Sequence, residues 1–120
     1  MEKTIYVKKC NKDSMKEYIV ALTTCPAVQG HNLARILVDK QVCACVNIIP
    51  GVRSFYYWND KITEDSEVIL LIKTEAKLEK MLQDAVFENH PYELPEFIVL
   101  DIKSGSKNYL DWISANILKD

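Results

Sequence analysis

The chain has 120 residues, of which 48% are hydrophobic and 27% charged, and its formal net charge is -2. That size and balance suit one compact domain with its own core and no need of disulfide staples. No basic excess is available for phosphates, which argues against nucleic-acid binding, and no run approaches the roughly 20 apolar residues of a membrane span.

Residues 1–15, "MEKTIYVKKCNKDSM", are lysine-rich and weakly patterned. They read as an N-terminal extension ahead of a domain over 16–120, with "TIYV" available as a short edge strand. The only apolar run there is Ile5 to Val7, flanked by charges, which is not an export signal. The expected setting is therefore the reducing cytoplasm, where Cys10, Cys25, Cys43 and Cys45 remain free thiols.

Residues 17–24, "EYIVALTT", predict a strand apolar at both parities and so covered on both faces, ended by Pro26. Residues 28–40 predict a helix with Leu33, Ile36, Leu37 and the stem of Lys40 on one stripe, weakened at its start by Gly30. Residues 42–58 follow. "VCACVNII" is strand-like, and beyond Pro50-Gly51 "VRSFYYW" alternates, with Val52, Ser54, Tyr56 and Trp58 on one face. Proline inside a strand is common at bulges, so one long bent strand is expected. "WNDKIT" is a hairpin turn, because Asn59-Asp60 tolerates left-handed dihedrals.

Residues 66–73, "SEVILLIK", return as a strand apolar on both faces, and Thr74 is placed to cap the next helix. Leu78, Met81, Leu82, Ala85 and Val86 share a helical stripe. Pro91 pushes His90 to an extended conformation, which stops that helix. "PEFIVLDIK", 95–103, predicts the last strand. Ser106 then caps a final helix that turns Tyr109, Leu110, Ile113 and Ile117 inward.

The order β-α-β-β-α-β with a terminal helix is the ferredoxin-like pattern, of class α+β. In that fold both long helices lie on one face of the sheet. The first, third and fourth strands are nevertheless apolar at both parities, and one short helix cannot cover a whole second face. Exposure at ~25 cal/mol per Å² is costly, so the simplest solution is a sheet face that self-associates.

Chemistry-bearing residues are few. In a strand the Cα atoms of Cys43 and Cys45 lie about 6.6 Å apart. Two thiolates on one zinc ion need about 4 Å. Cys43-Ala-Cys45 therefore chelates poorly and reads first as two small buried residues. "HPYELPE", 90–96, gathers His90, Glu93 and Glu96 in a proline-stiffened loop. Imidazole and carboxylate suit divalent transition metals, while the residues alone favour an ordinary helix end followed by an exposed acidic loop. "FYYW", 55–58, reads as packing aromatics. His31 falls on an exposed helical face. No nucleophilic triad, phosphate loop or dinucleotide fingerprint is visible, and the chain reads as a non-enzyme.

Taken together, "CACVNIIPGVRSFYYWNDKI", "HPYELPE" and "YLDWI" resemble the CutA family of divalent-cation tolerance proteins, over about residues 17–117. The resemblance implies a ferredoxin-like subunit in a homotrimer that binds copper or another divalent metal ion. Position by position it implies His90, Glu96 and Cys45 as metal residues. A further family cysteine falls on Thr23, a departure that removes a thiolate suited to copper(I). Cys25, two residues on, is the substitute on the same strand face. The resemblance also implies clefts between subunits, like those of PII-type signalling proteins, with Tyr56, Tyr57, Trp58, Lys73 and Tyr92 at the cleft or interface. Two functions follow as expectations: metal binding in metal-ion tolerance, or a trimeric regulator or scaffold that takes a small ligand or partner segment in its cleft.

Overall fold

The computed structural model describes residues 16–119. The expected extension over 1–15, with Cys10 and "TIYV", lies outside the described residues. The elements are β1 (Tyr18–Cys25), α1 (Ala27–Asp39), β2 (Cys45–Trp58), β3 (Lys61–Glu75), α2 (Glu79–Asn89), β4 (Ile98–Ile102) and α3 (Lys107–Ala115), with a 3-10 turn over Ala76–Leu78 before α2. The strands form one sheet in the order β2-β3-β1-β4. Every neighbouring pair is antiparallel. This is the ferredoxin-like order expected from the sequence.

The long bent strand is present. The β2–β3 register slips between Ile49 and Val52, and Gly51 there takes φ +74, a left-handed angle that glycine adopts without strain. The hairpin closes on Asn59 (φ 52) and Asp60 (φ 62), both left-handed, between the paired Trp58 and Lys61. α2 ends at Asn89, and His90 is extended (φ -91, ψ 140) ahead of Pro91.

Several expectations are corrected. Cys43 is not a strand residue: the chain leaves α1 through a left-handed Gln41 (φ 58), and β2 begins only at Cys45. Thr74 caps no helix, because pairing with β1 keeps β3 extended as far as Glu75. Its hydroxyl, like that of Thr23, is buried with no hydrogen-bond partner among the described residues. Met81 and Tyr109 flank their helical stripes and are exposed. Ser106 precedes α3 but makes no side-chain cap bond. β4 is shorter than 95–103.

The core lies between the helices and one sheet face. Ala21 and Cys25 of β1 and Val68, Leu70 and Ile72 of β3 pack with Leu33 and Leu37 of α1 and Leu82, Ala85 and Val86 of α2. Gly30 is where α1 meets the sheet, since a Cβ there would stand 2.8 Å from Val68 Cγ2. A second cluster joins Tyr18, Ala44, Leu78 and Ile102 to Ile113 and Ile117 at one end of the sheet.

The other sheet face is largely bare. By strand alternation it carries Ile49, Leu71, Ile69, Leu22, Ile98 and Leu100, contiguous through the pairs Ile49↔Ile69, Leu22↔Leu71 and Leu22↔Ile98. Ile98 is 48% and Leu100 52% exposed. Beyond Cys25↔Val68, the outer halves of β2 and β3 pair only with each other. Phe55, Tyr57, Trp58 and Ile62 are exposed on that ribbon. A two-stranded ribbon is marginal alone in water. No helix among the described residues is long and apolar enough to cross a membrane.

Replacing Gly30 by alanine gains about 1 kcal/mol of helix propensity but forces a methyl against the stiff, branched Val68. Overpacking costs about 1–3 kcal/mol, so Gly30→Ala is expected to lower stability in urea denaturation. Pairing it with Val68→Ala is expected to recover part of that loss.

Candidate functional site

The richest polar constellation joins the segment after α2 to the sheet. The backbone N–H of Tyr92 donates to His90 Nδ1 at 3.1 Å. Nδ1 is therefore the acceptor, and the imidazole proton sits on Nε2. Nε2 in turn donates to the Thr24 carbonyl oxygen at 2.7 Å. The two rings lie 4.9 Å apart, tilted by 53°. Tyr92 reaches on to β3, where its phenol donates to Glu67 Oε2 at 2.6 Å. Glu67 is buried, at the rung Val52↔Glu67 that follows the β2 bulge. Burial, then the Glu67 hydrogen bond and charge, holds the Tyr92 phenol well above the usual tyrosine range.

One step further out, Tyr56 donates its phenolic hydrogen to Asp65, and Arg53 pairs with Glu64. The Asp65 bond raises the Tyr56 phenol. At the other end of the open face Lys73 Nζ lies 3.5 Å from the Tyr109 hydroxyl and 5.6 Å from its ring centroid. Tyr109 stacks on Trp112 at 5.6 Å. Cys45 sits opposite Lys73. Its thiol is half-buried and points to Asn47 Oδ1 at 3.8 Å.

The residues expected at a site are thus distributed. His90 and Tyr92 are brought together, with Glu67 as an unexpected third member. Cys45 and Lys73 are cross-strand neighbours. Tyr56, Tyr57 and Trp58 lie exposed on the ribbon, and Glu96 is exposed before β4. Cys25 is fully buried, and burial followed by the charge of Glu67 raises its thiol. Cys43 is buried as well, which pushes its thiol up to about 12. Among the described residues, no group of three or more His, Cys, Asp or Glu side chains is placed to hold a metal ion. Sequence reasoning missed Glu67, whose only signal was a lone charge at the head of an apolar strand.

Comparison with known proteins decides the family. The model of the CutA1 divalent ion tolerance protein matches residues 19–116. The chain belongs to the CutA1 family. Human protein CutA is 45% identical over 94 residues, a match that covers 78% of this chain and 52% of the human protein. The chain therefore spans about half of that relative's length. The rice CutA1 crystal structure superposes with a TM-score of 0.84 at 38% identity, covering 87% of this chain and 96% of the rice chain. A PII-like CutA from Nostoc superposes at 0.79 with 34% identity, covering 83% and 97%.

The CutA1 family name refers to divalent ions, and the described residues of a single chain do not by themselves fit one. Both nitrogens of His90 are engaged, Cys25 is sealed in the core, and Cys45 and Glu96 belong to no cluster of three or more ligating side chains among the described residues.

Tyr92→Phe is expected to cost about 1.5–3 kcal/mol, since the buried Glu67 carboxylate loses its phenol donor. The folded state holds the Tyr92 proton to higher pH than the ordinary 10.0 of an unfolded tyrosine. That contribution is complete below the unfolded value and is lost as pH rises through the folded one. Stability measured against pH is therefore expected to fall less steeply above pH 10 in Tyr92→Phe than in the wild type.

Proposed function

We propose that this chain works in divalent-cation tolerance as a homotrimer, and that binding of the cation belongs to the assembly. The observation that carries this reading is the bare, apolar second face of the sheet, continued by an aromatic ribbon that has no second neighbour among the described residues. Three copies that cover one another's sheets would bury what a single copy leaves in water. Copper is the first candidate. Cys45, half-buried beside Lys73, supplies the accessible thiolate, and Glu96 supplies an exposed carboxylate. Donors from neighbouring subunits would complete the set.

A second reading is a PII-like regulator or scaffold, with a small ligand or partner segment in the cleft between subunits. The group at Lys73 favours it: a cation beside a stacked Tyr109–Trp112 pair suits an anionic or aromatic ligand.

Native mass spectrometry of the full chain, with and without copper under reducing conditions, tests both. The expected result is a trimer that takes up copper in a fixed ratio, with uptake reduced in Cys45→Ser. A monomer refutes the assembly. A trimer indifferent to copper, but stabilised against heat by a nucleotide or metabolite, transfers the function to the second reading.

A further inference from the structure

We propose that the H-P-Y-E-L-P-E segment is a structural clamp in which His90 replaces a missing strand rung and positions Tyr92 on Glu67, and that its imidazole is not a cation ligand. The reason starts in the backbone. The β1–β4 ladder stops at Leu22↔Ile98. Two more rungs would set Thr24 opposite Glu96, but β4 begins only at Ile98. The Thr24 carbonyl is left on that edge of the sheet. A backbone carbonyl withdrawn from water needs a donor, and His90 Nε2–H supplies it at 2.7 Å.

With the proton on Nε2, the ring has one lone pair, on Nδ1, and the Tyr92 amide occupies it at 3.1 Å. The arrangement depends on Pro91, which holds His90 extended, so that the chain doubles back and the Tyr92 amide meets the imidazole two residues behind it. Tyr92 then lies against the imidazole with its phenol on buried Glu67. The clamp thereby ties the end of β1 to the base of the ribbon, at the rung just past the β2 bulge. A cation on Nδ1 would displace the Tyr92 amide. A cation on Nε2 would displace a proton and strand the Thr24 carbonyl. Either way the imidazole exchanges a satisfied backbone group for a ligand bond and leaves that group unpaired.

The clamp is independent of whether the assembly binds a cation elsewhere, and nitrogen NMR of the full-length protein tests it directly. In the wild type, the His90 ring nitrogens are expected to report a protonated Nε2 and an unprotonated Nδ1. Both resonances are expected to stay unmoved by equimolar zinc(II). His90→Ala is expected to speed amide exchange at Tyr92, and at the Val52↔Glu67 rung, by about tenfold or more. His90→Gln, which keeps an N–H donor at that position, is expected to recover part of the protection. A protonated Nδ1, or zinc-dependent shifts of the ring nitrogens at stoichiometric ratio, overturns the proposal. So does unchanged exchange at Tyr92 in His90→Ala. The wild-type spectra decide the matter even if the alanine variant fails to fold.

Discussion

Two apolar faces on one sheet, one sealed by α1 and α2 and the other met by α3 at one end only, is the constraint from which the other features follow. β1 and β3 carry apolar side chains at both parities: Ala21, Leu70 and Ile72 go to the helices, and Leu22, Ile69 and Leu71 go to the opposite side. α1 and α2 seal the first face. α3 reaches only one end of the second, around Tyr18 and Ile102. The remaining surface runs without a break from Ile49 on β2 to Leu100 on β4. Hydrophobic area of that kind is rarely left in water by a single-copy protein. It is the physical basis for reading the chain as one part of an assembly, and for placing its chemistry between copies.

Much of this was legible in the residues, and the reasons are local. Asn59-Asp60 supplies two left-handed positions in succession, which few other dipeptides tolerate. Pro50-Gly51 cannot sit in a regular ladder, so a bend was required there. Pro91 restricts the residue before it, so α2 had to stop. Apolar residues at both parities point to a sheet with two apolar faces, and Leu22, Ile69 and Leu71 do lie opposite the helix-covered side.

What escaped depends on partners distant in the chain. Thr74 looks like a helix cap until β1 pairs with it and holds it in the strand. Cys43 looks like a strand residue until a left-handed Gln41 delays β2 to Cys45. The surroundings of His90 are likewise invisible in its residue type. Its actual partners are a carbonyl on β1 and an amide two residues ahead. Glu67 meets Tyr92 across the fold. Residue type alone does not say which lone pairs are already spent, and for a site built from so few donors that information decides the chemistry.

If other copies of the chain cover the second sheet face, as proposed, Leu100→Lys is the substitution most sensitive to it. Leu100 is 52% exposed within one subunit and lies on an edge strand. On a face open to water the change is worth no more than about 0.5 kcal/mol in either direction. On a face buried against another copy it places an unpaired charge in the contact. Sedimentation equilibrium across a range of concentrations is expected to show a trimer for the wild type and a shift towards single chains for Leu100→Lys. A variant whose mass and stability match the wild type's at every concentration would contradict the account.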